Sequence, residues 1–178
     1  MINWAVELLD FDRLHKEEEL ASNGVIKALP FEAHAMPVDI DAAERAIAGR
    51  FDCQHVDFLL HANGWNNFSA DIDLFGTPDF CGSNRFRQAQ EWVNMMHRGA
   101  LGSYAKQRSS MLPIAKSSSS TDLLLMIRER GQVQPKVLWV TNELVEEFED
   151  FNQMFVSFKK YQQQAIDYWL KRNKGGTP

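Results

Sequence analysis

Cysteine is scarce: Cys53 and Cys81 are the only two in 178 residues. A secreted scaffold stapled by disulfides carries more, so the thiols read as reduced and the chain as cytoplasmic. No apolar run approaches the ~18–20 residues that cross a bilayer, and no membrane partner is expected. The N-terminus, Met1-Ile2-Asn3-Trp4, lacks a basic region followed by an apolar one and soon meets Glu7, Asp10 and Asp12, unlike a signal peptide. Basic charge is also short. Against 24 Asp and Glu stand 19 Lys and Arg, a net charge of −5. Neutralising phosphates needs the opposite surplus on one face, so no nucleic-acid partner is expected. What the chain does have is apolar material: 44% of residues are hydrophobic, close to the globular norm of ~45–50%. That is enough to offset the entropy of ordering a core, which excludes disorder of the whole chain.

Periodicity places the elements. Trp4, Leu8, Phe11 and Leu14 fall on one helical face, and Asn23-Gly24 supplies the stop. Pro30 and Pro37 punctuate an irregular stretch. A helix through Ala42, Ala43, Ala46 and Ile47 follows, with Asp39 or Asp41 as cap, and then a short one with Val56, Leu59 and Leu60 on a face, ending at Asn63-Gly64. Residues 69–76 alternate Asp71 and Asp73 with Ile72 and Leu74, the period of a strand. A helix over 84–98 carries Phe86, Ala89, Val93 and Met96 in phase. Met111–Ala115, Asp122–Ile127 and Val137–Val140 read as strands joined by short polar connections, an antiparallel arrangement. Phe148, Phe151, Phe155 and Phe158 begin a closing helix, extended by Ala165 and Trp169. Residues 171–178 form a polar, frayed tail. Ser117–Ser120 is too short for a linker and nothing repeats, so 1–178 is one domain. Helices first, strands in the middle and a helix last give an α+β fold, with N-terminal and C-terminal helices packed on an antiparallel sheet.

The residues that carry chemistry form no established set. Cys53, His55, His61 and Cys81 fail as a zinc site, because His55 and His61 are six apart and lie on different sides of a helix. Asp71 and Asp73 share a strand face, with Asp79 soon after. They suit Mg²⁺, the solvent side of a half-buried strand, or a surface for a basic partner. The serines of 117–120 lack a nucleophile elbow, and Gly99-Ala100-Leu101-Gly102 lacks the lysine and strand of a phosphate loop. No cofactor, metal or catalytic residue is therefore expected. Glu143, Glu146, Glu147, Glu149 and Asp150 gather at the start of the closing helix, where the helix dipole favours negative charge and a basic partner finds a complement. Trp65 and Asn66, on a loop after Asn63-Gly64, serve either as a lid on the core or as an anchor for a partner.

Glu44-Arg45-Ala46-Ile47, the run Val56 to Trp65, Asp73-Leu74-Phe75-Gly76, Met111-Leu112-Pro113-Ile114-Ala115 and Phe148-Glu149-Asp150-Phe151 stand in an order that resembles the SUKH superfamily. This superfamily includes bacterial immunity proteins of polymorphic toxin systems and is related to yeast cell-wall assembly regulators. The resemblance covers residues 40–158 and leaves 1–37 as an N-terminal helical elaboration. Phe51-Asp52 stands where the family often has Leu-Pro. The resemblance implies about six strands, no shared catalytic site, and neutralisation of a cognate toxin protein, often a nuclease, by tight binding. The partner-binding candidates are Trp65, Asn66, Asp71, Asp73, Asp79, Glu143, Glu146 and Glu147. The alternatives are an intracellular protein-binding scaffold or regulator, and a metal-dependent hydrolase built on Asp71 and Asp73. Self-association is left open.

Overall fold

A computed structural model of the chain describes residues 2–96 and 98–175. In order, the elements are α1 (Trp4–Ala21), α2 (Pro37–Ala46), α3 (Cys53–Leu59), β1 (Trp65–Ser69), β2 (Ile72–Leu74), α4 (Thr77–Phe80), α5 (Asn84–Met95), a 3-10 segment (Arg98–Ser110), β3 (Met111–Ser117), β4 (Leu123–Glu129), β5 (Gln132–Val140), β6 (Leu144–Phe148) and α6 (Phe151–Gly175). The fold is α+β, as expected. Among the described residues, six strands join one sheet in the order β1-β2-β3-β4-β5-β6, and each strand pairs antiparallel with its neighbour.

Both faces of the sheet are covered. Neighbouring residues on a strand point to opposite faces, and on β6 Glu146 meets Tyr161 of α6 while Glu147 meets Tyr104 of the 3-10 segment. Helices α1 and α6 therefore form one layer, and α5 with the 3-10 segment forms the other. This explains why Leu123–Ile127 of β4 are buried without alternation: a strand covered on both faces has no solvent side. The α1–α6 layer holds an aromatic cluster. Phe155 meets Trp4 and Phe11 edge-on at 5.0 and 5.2 Å, and Phe158 meets Phe68 at 5.3 Å. Each such ring contributes roughly 1.5–3 kcal/mol on burial. Lys159 of α6 fastens the pair of helices to Glu7 (2.6 Å) and Asp10 (2.7 Å) of α1.

The structure departs from the sequence reading at several places, one of them the helix expected over 84–98, which ends at Met95. Residues 69–76 are not one strand but a hairpin: Ser69 pairs with Ile72, and Ala70-Asp71 make the turn, with Ala70 at φ 52°. Trp65 and Asn66 lie on β1, not on a loop. The phenylalanine stripe spans two elements. Phe148 ends β6, while Asp150 caps α6 by accepting from Gln153 N at 2.8 Å. Glu143, Glu146 and Glu147 thus belong to a strand and its approach, where the dipole argument does not apply. Helix α2 starts earlier than either proposed cap, at Pro37, and Asp39 reaches back from the first turn to accept from Met36 N (2.9 Å). Leu60 is exposed, and the buried face of α3 uses His55, Phe58 and Leu59. Finally, α6 continues to Gly175 through much of the expected tail, whose residues 176–178 lie outside the described residues.

Candidate functional site

The candidates fall in two places at opposite ends of the sheet. The first surrounds the β1–β2 hairpin and centres on Arg85 of α5, which the sequence reading did not single out. Its Nε and Nη2 donate to both oxygens of Asp79 at 2.5 Å, and its Nη1 donates to Asn66 Oδ1 at 2.6 Å and, more weakly, to Asp73 Oδ2 at 3.5 Å. This fork-on-fork pairing with Asp79 holds the guanidinium pKa above its usual value against the opposing effect of burial. Asp79 also accepts from Gly76 N (3.0 Å), and Asp73 accepts from Asn67 N (2.8 Å). Asn66 donates to Glu32. Asp73, Phe75, Arg85, Gln88 and Lys116 line a shallow cavity of about 160 Å³.

Asp71 is not on a strand face with Asp73. From the hairpin turn it accepts from Ser117 Oγ (2.5 Å), Ser119 N (2.9 Å) and Ser119 Oγ. Burial pushes its pKa up, but these donors more than offset that and hold it below the ordinary carboxylate value. Asp71 therefore staples the β1–β2 turn to the end of β3. Asp71→Asn is expected to cost about 1 kcal/mol, because an amide accepts more weakly and brings donors toward hydroxyls already donating. Urea denaturation measures this, and an unchanged midpoint would mean that the serine contacts contribute nothing.

Trp65 is a lid on the core. It has no exposed surface, donates Nε1–H to Leu29 O at 2.8 Å and packs edge-on against Phe31. In this arrangement it offers no area to a partner. The residues weighed for zinc are likewise scattered. His55 is fully buried against Phe51, Phe80 and Phe151, while His61 is exposed and bonds Asp57 O. Both cysteines are free and exposed. Among the described residues, no three His, Cys, Asp or Glu side chains converge as a metal set.

The second place is β6, at the far edge of the sheet. Glu147 accepts from Tyr104 Oη (2.7 Å) and Lys136 Nζ (3.4 Å), and Glu146 accepts from Tyr161 Oη (2.5 Å). Burial and that carboxylate push the Tyr161 phenol up to about 12. Glu143 and Glu149 are exposed, with Lys136 3.6 Å from Glu149. Val145 sits in their midst, 47% exposed, at a slip in the β5–β6 register. Gln54 of α3 fixes the start of α6 by donating to Asp150 Oδ2 (3.1 Å) and accepting from Asn152 N (3.0 Å). The structure thus brings Asn66, Asp73 and Asp79 together around Arg85, leaves Asp71 nearby in its own serine nest, and sets Glu143, Glu146 and Glu147 apart on the opposite edge. Arg85 was not legible because its partners lie 6, 12 and 19 residues away.

Comparison with protein-family models and with curated proteins gives no match.

Proposed function

We propose that this chain is a non-catalytic immunity protein of the cytoplasm, which binds a basic cognate toxin domain and holds it inactive. The observation that carries the reading is the acidic strand β6, presented at a sheet edge with Glu143, Val145, Glu147 and Glu149 exposed. Opposite charge steers encounter with a basic partner, and an exposed apolar residue within a charged rim supplies contact area. The toxin class most consistent with this is one with a basic active-site face, as nucleases need for phosphate. The order of elements over residues 40–158, which resembles the SUKH superfamily, supports the same reading.

The pair on which a hydrolase would depend is not formed as a strand face: Asp71 lies in the hairpin turn, held by serines, while Asp73 is on β2, bonded by Asn67 N. The test is affinity purification of the tagged chain from its native host, read by mass spectrometry, followed by co-expression. One stoichiometric partner with a toxic terminal domain, rendered harmless when this chain is co-expressed, is the expected result. Recovery of housekeeping proteins alone, or a toxin whose effect persists on co-expression, overturns the reading.

A further inference from the structure

The two edges of the sheet are treated differently. The segment between α1 and α2 covers the approach to β1: Glu32 N donates to Gly64 O (3.0 Å), Asn63 N to Ala33 O (3.1 Å) and Trp65 Nε1 to Leu29 O (2.8 Å). On β1 itself, the buried ring of His15 bonds Phe68 O at 2.9 Å, so that edge is closed in part. Strand β6 pairs with β5 on its inner side, and among the described residues no strand pairs with its outer side. In an antiparallel ladder, alternate residues turn their N–H and C=O away from the neighbour, so an edge strand presents a row of unpaired groups to another chain.

Charge decides which chain. A second copy pairing β6 with β6 would bring Glu143, Glu146, Glu147 and Glu149 against one another, and like charges directly opposed across strands are destabilising. The same side chains suit an extended segment in which Lys or Arg flanks an apolar residue that meets Val145. The register slip at Val145 leaves Leu144 paired with Val140 and Glu146 with Trp139 on the inner side, so an added strand would have to follow the same irregularity.

We infer that β6 is a strand-addition site, which takes a basic extended segment of a partner protein as a seventh strand of the sheet. The inference rests on the immunity reading for the partner's identity, but not for the binding mode. Backbone hydrogen bonds provide the generic attachment, and the acidic side chains with Val145 select the sequence.

The test uses the full chain and a synthetic peptide of about eight residues with alternating Lys and Val, long enough to span an edge strand. Fluorescence anisotropy reads binding, and amide hydrogen exchange reads its place. The expected result is binding that protects the amides of residues 144–148, leaves those of β1 unchanged, and falls about tenfold or more in Glu143→Lys/Glu149→Gln, a variant at exposed positions that places no second cation beside Lys136 and whose fold is checked by its melting temperature. The same peptide with its N–H groups methylated along one edge keeps its charge but cannot join a ladder, and is expected not to bind. Equal binding by the methylated peptide, protection elsewhere, or an unchanged affinity in the double variant overturns strand addition. If a toxin is captured but its complex leaves β6 exchange unaltered, strand addition falls while the immunity reading stands. If the peptide adds to β6 while no toxin is found, the reverse holds.

Discussion

Gly76→Ala is expected to destabilise the fold by about 3 kcal/mol or more, at the high end of single substitutions, although the backbone there suits any residue. Gly76 has φ −101°, so no left-handed conformation is at stake. The obstacle is space. A methyl group at Gly76 would lie 2.0 Å from Asn63 O and 2.7 Å from Asn63 C, both of them backbone atoms that cannot swing aside. Asn63 is itself fixed from that side: its Oδ1 accepts from Thr77 N at 2.7 Å and its Nδ2 donates to Thr77 Oγ1 at 2.9 Å. Gly64 closes the same contact from the other strand, where a Cβ would meet Gly76 N at 2.7 Å. Two glycines thus let the start of β1 and the end of β2 touch backbone to backbone, and alanine would separate them. Gly82 provides the comparison. It has φ 103° and nothing within 4 Å of an added Cβ, so Gly82→Ala carries conformational strain without a clash and should cost about 1 kcal/mol. Urea denaturation of both variants separates the two effects, and a Gly76→Ala loss no larger than that of Gly82→Ala would contradict the close packing.

Acid is expected to unfold the protein well before its carboxylates are all protonated, because two histidines are buried in neutral form. His55 stacks on Phe151 at 4.7 Å, and neither ring nitrogen has a hydrogen-bond partner among the described residues. Burial lowers its pKa to about 3. His15 keeps one bond, between Nε2 and Phe68 O at 2.9 Å, while its Nδ1 is unpartnered. Burial lowers its pKa to about 4, against the weaker upward pull of the Phe68 carbonyl and Asp12. In the unfolded chain both titrate near the ordinary value of ~6.5. Below that pH the unfolded state binds protons that the folded state refuses, so stability falls as pH falls, and the loss levels off only beneath the folded values. Each histidine contributes a slope of about 1.4 kcal/mol per pH unit, and together they remove about 6 kcal/mol between pH 6.5 and pH 4.

Glu18 acts in the other direction. Burial raises its pKa despite the bond from Gln162, so the cost of its charge near neutrality is relieved on acidification and offsets part of the loss. Denaturant melts at pH 7, 6, 5 and 4 should show the decline, and His55→Leu should remove about half of its slope. A wild-type profile flat from pH 6 to pH 4.5 would mean that the imidazoles reach water.

The parts of this architecture that were legible in the sequence are those in which one segment carries its own signal. Trp4, Leu8, Phe11 and Leu14 mark the buried face of α1 because helical spacing alone aligns them, and all four are buried. The apolar block Leu123–Ile127 announced β4. The hairpin at Ala70-Asp71 was hidden because its positive φ falls on an alanine rather than on the glycine or asparagine that usually marks such a turn. Strand β6 was hidden by coincidence: Phe148 stands three residues before Phe151, the step that a helix would also give, and only the cap at Asp150 separates them. The site around Arg85 and the burial of His55 are products of tertiary packing. Nothing near Cys53-Gln54-His55 in sequence reveals that Phe80 and Phe151 will close over the imidazole.

The pairing of α1 with α6 has a consequence for how the protein is made. The strands join only consecutive neighbours, so the sheet can grow as the chain lengthens. The aromatic layer beneath it cannot, because Lys159 and Phe155 meet partners about 150 residues earlier. On the ribosome, the apolar face of α1 therefore emerges about 130 residues ahead of the helix that completes its cover. Throughout that interval Trp4 and Phe11 have only Phe58, Trp65 and Phe68 to pack on, and the half-covered face is expected to need holding chaperones until α6 leaves the exit tunnel.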